Sequence, residues 1–197
     1  MSTENKYQDK RSSFFQKFFD SGLPYDQYLK TGELLHRERW HSYAKSFELS
    51  DSQQQIISTF KRKLNVLVMS GIWCGDCARQ GPMLRSIEVA CPLIAMRFLD
   101  NKEAPELQEE LRMNGAQKVP IVVAMSEDFY ELSRFGDRHL SVYRRKARLE
   151  FGPACDAGIV LPTQEELAEE LGEWVSYFER LQLMLRLAPA LRARYGD

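Results

Sequence analysis

The sequence predicts an α/β protein: a mixed sheet flanked by helices, with a helical N-terminal extension and a long C-terminal helix. Three observations predict it. Residues 64–70, Leu-Asn-Val-Leu-Val-Met-Ser, form a short apolar run rich in β-branching, which suits a strand buried on both faces. From there the patterns run strand–helix–strand–helix and then two adjacent strands, an order that builds a mixed sheet covered by helices. Finally, Leu167, Leu171, Trp174, Phe178, Leu181 and Leu185 draw one apolar stripe along a helix that starts near Thr163, where Glu166 completes a capping box.

Taken in order, residues 1–12 are polar and nearly free of apolar side chains, and read as a disordered tail. The helical extension covers residues 13–49. Phe14, Phe15, Phe18 and Phe19 recur at helical spacing until Gly22-Leu23-Pro24 ends the segment, and a second helical stretch spans 26–47. Residues 50–197 form the main domain. It opens with a helix capped by Ser50 and Gln53 that carries Ile56, Ile57 and Phe60. After the strand at 64–70, the elements expected are a helix at 77–89, a strand at 93–99 and a short helix at 105–113 with Pro105 in its first turn. Strands at 119–125 and 129–135 follow. Residues 141–161, punctuated by Gly152-Pro153, Gly158 and Pro162, read as an irregular insertion before the last helix.

Bulk properties narrow the function. A chain of 197 residues with 44% hydrophobic and 28% charged residues is long enough to bury a sizeable core without cross-links. Its net charge of −1 gives no reason to expect nucleic acid or an acidic membrane as partner. The first residues lack the apolar stretch of a signal peptide, and the longest apolar runs are too short to span a bilayer. A cytoplasmic location is therefore expected, where four cysteines favour catalysis or metal binding over structural disulfides.

Trp73-Cys74-Gly75-Asp76-Cys77 stands where a buried strand turns into a helix. A thiol at a helix N-terminus meets unpaired N–H groups and the positive end of the helix dipole, so its thiolate is favoured. The C-x-x-C spacing lets the second thiol reach back: the first attacks a substrate disulfide and the second resolves the mixed disulfide. Gly75 suits a tight turn. By itself such a pair also fits half of a zinc site, or an idle remnant. The other half of a zinc site is missing here, since Cys91 and Cys155 are isolated and no second C-x-x-C or H-x-x-H follows. His36 and His41 are spaced i, i+5, which does not bring them to one helix face, and His139 is alone. No metal site is expected.

In these residues the sequence resembles the thioredoxins. Their motif reads Trp-Cys-Gly-Pro-Cys, and the chain departs from it only at Asp76. Pro82 looks like the proline that kinks the family's active-site helix. Val119-Pro120 looks like its apolar residue and cis-proline beside the cysteines, and Gly136 like a glycine flanking the substrate groove. The resemblance spans roughly residues 50–140. It implies a thiol–disulfide oxidoreductase acting on disulfide-containing proteins without a bound cofactor, with electrons from an external thiol or reductase. Cys74 would be the nucleophile and Cys77 the resolving thiol, with Trp73, Val119, Pro120 and Gly136 shaping the groove and Gly75 and Asp76 tuning the pair. The alternative is a partner-binding or redox-sensing adaptor built on the same fold.

Two positions depart from the family. Val68 stands where thioredoxins carry a buried aspartate that passes protons to the second cysteine, and Ser70 where an aromatic is common. Proton transfer at Cys77 must then come from water or elsewhere. Three roles stay open for Asp76: relaying a proton, disfavouring the Cys74 thiolate by like charge, or satisfying N–H groups in the first helical turn. The basic run Arg144-Arg145-Lys146-Ala147-Arg148 has no aromatic interleaving and reads as a solvated loop.

Overall fold

The computed structural model describes residues 8–151 and 161–196. The sheet has the strand order β2-β1-β3-β4, with β1 at Leu64–Ser70, β2 at Ile94–Asp100, β3 at Ile121–Met125 and β4 at Glu131–Gly136. β1 and β2 are parallel, whereas β3 is antiparallel to both β1 and β4. This is the expected mixed sheet. Strand β1 lies inside it, and its burial on both faces explains the unbroken apolar run.

The two faces carry separate cores. The alternation of strand side chains sends Val66, Val68, Met96, Phe98, Val122 and Ala124 to one face. Leu67, Met69, Leu99, Ile121, Val123 and Met125 go to the other. The first face is covered by α2 (Tyr25–Lys30), α3 (Leu34–Ala44), α4 (Asp51–Ser58), α5 (Gly75–Ala90) and α8 (Gln164–Leu187). The second is covered by α1 (Ser12–Ser21), through Phe15, Phe18 and Phe19, and by α6 (Pro105–Glu110). Both expected capping boxes form, Ser50 with Gln53 and Thr163 with Glu166. A short terminal helix, α9, spans Pro189–Tyr195.

Three sequence expectations change. The stretch 26–47 divides into α2 and α3 at Thr31-Gly32, where Gly32 lies against Ile72 too closely for a side chain. Residues 1–7 of the tail lie outside the described residues, but its end is tied down. The Glu131 N–H donates to Asp9 (2.9 Å), and Arg11 pairs with Glu110 (3.2 Å) and Glu131 (2.5 Å). Residues 140–151 form a further helix, α7 (Leu140–Phe151), where a loop was expected. Its residues are mostly good helix formers with no Gly or Pro, and the punctuation at Gly152-Pro153 falls after it. Within the basic run, Arg145 pairs with Glu166 (3.2 Å), Lys146 with Glu150 (3.5 Å) and Arg148 with Glu166 (3.7 Å). Cys155 lies outside the described residues.

Candidate functional site

Strand β1 ends at Ser70, the chain turns through Gly71–Trp73, and α5 starts at Gly75 with Cys74 as its N-cap residue in extended conformation. This geometry sets the two thiols apart. Cys74 stands at the helix mouth and is half-buried, whereas Cys77, within the first turn, is only 1% exposed. The two residues approach to 3.6 Å. The Cys74 Sγ–H donates to the Val119 carbonyl at 3.8 Å, and the Gly71 N–H donates to Cys77 Sγ at 3.4 Å.

The electrostatics follow the placement. The Cys74 thiol is lowered to about 6. The Cys77 thiol, donating to it, is the main cause, and the N–H groups of Cys77 and Asp76 add to it against the cost of burial. Burial pushes Cys77 well above the usual thiol range, and its contact with Cys74 adds to that. One sulfur is thus poised as a thiolate while the other is held protonated.

Of the neighbours expected from sequence, Val119, Pro120 and Gly136 lie together on the side of Cys74 that faces β3. The Val119–Pro120 peptide bond is cis, and Pro120 is buried just before β3. Gly136, at the end of β4, faces the same corner. A side chain there would meet Met113 Sδ at 2.9 Å, Ile121 Cγ1 at 3.0 Å and the Pro120 carbonyl at 3.1 Å. Trp73 is 45% exposed and borders a groove of about 350 Å³ with Ile72, Glu33, His36 and Lys102. Pro82 lies inside α5 and is buried. Gly75 does not serve a strained turn, since the space a Cβ would take there is open and its φ is ordinary. Cys91 caps the far end of α5, buried and unpaired. Among the described residues no cluster of potential ligands could hold a metal ion.

An ionic scaffold that the sequence does not announce stands behind the motif. Asp76 accepts from Arg79 at 2.8 Å and pairs with Arg138 at 2.5 Å. Arg79 is itself buried and pairs with Glu170 of α8 at 2.7 Å, and Glu170 is 1% exposed. Burial works against the Asp76 carboxylate, but the charges of Arg79 and Arg138 hold its pKa below the usual carboxylate value. Arg138 also pairs with Asp137 at 2.8 Å, which in turn holds Lys118 (3.6 Å) and the Tyr143 hydroxyl of α7. Nearby, His139 is buried between Phe135 and Trp174, and burial, with Arg79 second, drops its pKa to about 3. Of these residues only Glu170 left a readable signal. It falls three residues after Leu167 and four before Trp174, on the buried stripe of its helix, where a carboxylate needs a partner.

The helical extension also reaches the site. Trp40 of α3 is fully buried, donates its indole N–H to the Ile72 carbonyl (3.0 Å), and packs on α5 at Gly81. Among the described residues no helix is long and apolar enough to cross a membrane.

Comparison with known proteins agrees with this architecture. A family model described as Thioredoxin matches residues 22–144, more than half the chain, starting inside the extension and ending within α7. No curated protein matches in sequence. Among solved structures, a Pseudomonas aeruginosa protein of unknown function superposes with a TM-score of 0.67 at 19% identity, over 84% of this chain and 96% of that one. An HIV epitope-scaffold superposes at 0.61 with 19% identity, over 80% of this chain and 95% of that one. At such identities the structural likeness speaks for the fold alone. The matched segment contains β1 to β4 and the cysteine turn between β1 and α5, and on that match the chain belongs to the thioredoxin family.

Proposed function

We infer that the chain is a thiol–disulfide oxidoreductase that exchanges disulfides in proteins through Cys74 and Cys77. One observation carries the reading: a half-buried thiol lowered to about 6 at a helix N-terminus, next to a buried thiol whose pKa is raised. That asymmetry divides the labour of exchange. The Cys74 thiolate attacks one sulfur of a substrate disulfide, forms a mixed disulfide and expels the other sulfur as a thiolate. The Cys77 thiol then gives up its proton and attacks Cys74 Sγ. The internal disulfide forms, and the second substrate thiol leaves with the proton. An external thiol or reductase returns the pair to the dithiol.

The Val119 carbonyl beside Cys74, the open space at Gly75 and the exposed Trp73 ring supply a docking edge for an extended substrate segment. The test is reduction of insulin disulfides by the reduced protein with a dithiol as electron source. The wild type is expected to accelerate precipitation of the freed chains, and Cys74→Ser to abolish the acceleration. A folded wild type with no more activity than Cys74→Ser would leave the scaffold as an adaptor and overturn the reading.

A further inference from the structure

The resolving step requires the buried Cys77 to become a thiolate, and the carboxylate that would assist in related proteins is replaced by Val68, itself in the apolar core. The corner beneath Cys77 is nevertheless polar. Ser70, the last residue of β1, is fully buried, and so is Tyr28 of α2, 1% exposed. Neither hydroxyl meets hydrogen-bonding geometry with any partner among the described residues. Leaving two such groups without a protein partner is costly, and in a native fold it needs a reason. Tyr28 is held there by its ring, stacked on Phe98 (5.5 Å between centroids) and edge-on to Trp40 (5.8 Å).

We propose that Tyr28 and Ser70 form a two-hydroxyl chain that stabilises the Cys77 thiolate during resolution, Tyr28 donating to Ser70 and Ser70 to the sulfur, alongside the Gly71 N–H. The Gly71 N–H already donates to Cys77 Sγ in the resting protein. The Ser70 side chain lies near enough to favour the anion of both Cys77 and Tyr28, and Tyr28 feels the charges of Cys77, Cys74 and Asp100. Asp76 and Cys74 on α5 and Asp100 at the end of β2 are the acidic groups around this corner, and negative charge on them opposes a second anion. Neutral donors that turn toward sulfur as charge develops meet the need, in the manner of an oxyanion hole. The proton released from Cys77 ends on the departing substrate thiolate, so the step balances. In this chain Ser70 would donate to the reacting sulfur itself, whereas Tyr28 is a positioning residue acting through Ser70.

The inference rests on the exchange reading of the cysteine pair, and one experiment separates the two. The reduced full-length protein is mixed with less than one equivalent of an aromatic disulfide that releases a coloured thiolate. A fast release marks attack by Cys74, and a second marks resolution by Cys77. Both are followed over a range of pH. Ser70→Ala is expected to slow the second release about tenfold, the scale of a hydrogen bond to a charged group, and to move its pH midpoint upward. Tyr28→Phe keeps the ring and is expected to act in the same direction more weakly, so it carries the test if Ser70→Ala does not fold. Tyr25→Phe, which removes the hydroxyl of another buried tyrosine of the same helix, is expected to change neither phase. Unchanged second phases and midpoints in Ser70→Ala and Tyr28→Phe would overturn the proposal, as would equal slowing of both phases. A wild type with no second phase would instead overturn the exchange reading, and the proposal with it.

Discussion

At the scale of single residues, Asp76 shows how neighbours settle a role. A lone carboxylate between two thiols would raise the pKa of Cys74, and its charge does act in that direction, but it is the smallest of the influences on that thiol. Arg79 and Arg138 neutralise it, while its own N–H helps to lower Cys74. Asp76 therefore serves first as the junction of an ion-pair network. Asp76→Asn is expected to lower the Cys74 pKa further and make the pair slightly more oxidising. Because a thiol near 6 is already mostly ionised at neutral pH, alkylation there should change by less than about twofold, and the gain should show only below about 6. The sign follows from chemistry: the thiolate is the nucleophile, so the rate rises as pH rises through the pKa. Iodoacetamide kinetics across pH, with mass spectrometry to locate the label, check this and should find Cys74 modified before Cys77. A Cys74 pKa that rises in Asp76→Asn would show that the two arginines depend on the carboxylate to stay in place.

At the scale of elements, α3 is informative because its sequence has almost no amphipathic pattern and buries a single residue, Trp40. Its docking depends on one close contact. A Cβ built on Gly81 of α5 would lie 2.0 Å from the Trp40 ring, so glycine is the residue that lets the two helices meet. Gly81→Ala is expected to destabilise the protein by about 2 kcal/mol, the range of overpacked cores. It should also weaken the Trp40 bond to Ile72 in the turn leading to Cys74. Chemical denaturation followed by tryptophan fluorescence measures the first effect, and the rate of Cys74 alkylation the second. α7 teaches the complementary lesson. It buries only Ser141 and Val142 and is held to α8 mainly by polar contacts, Ser141 to Glu173 and Arg145 to Glu166.

At the scale of the whole molecule, the site is assembled from regions far apart in the chain. Arg79 on α5 and Glu170 on α8 are both buried, 91 residues apart, and joined by hydrogen bonds of 2.7 and 3.3 Å. Burial alone raises Glu170 above the usual carboxylate value, and Arg79 pulls the other way. Removing one member of a buried pair leaves the other charge desolvated, at a cost of roughly 3 kcal/mol. Glu170→Ala is therefore expected to lower stability by about that amount, while a Glu170→Ala, Arg79→Met double variant should recover part of it. Thermal unfolding of the three proteins at fixed pH checks this. Equal loss in the single and double variants would show that Asp76 alone satisfies Arg79. The same long-range logic joins the extension to the cysteine turn. Tyr28 and Trp40 lie in the same core as Cys77, so α2 and α3 belong to the site and are not an appendage.

The mixed sheet and the cysteine motif were legible in the sequence, because both are written in local patterns. The unbroken apolar run of β1, the capping boxes at Ser50 and Thr163 and the apolar stripe of α8 each depend on neighbours a few residues away. The cysteine pair was readable for the same reason: a strand, a turn and a helix in succession place Cys74 at a helix N-terminus wherever the rest of the chain lies. The helix at 140–151 was hidden because it buries only Ser141 and Val142 and its partners are charges on another helix. What surrounds the thiols, by contrast, follows from how distant segments pack together. Arg138 pairs with Asp76, Glu170 with Arg79, and Tyr28 enters the core that holds Cys77, all from distant parts of the chain, and ion pairs and buried hydroxyls carry no sequence period to announce them. Thiol identity is a property of the segment, but thiol pKa depends on burial, charge and donors brought together by the fold.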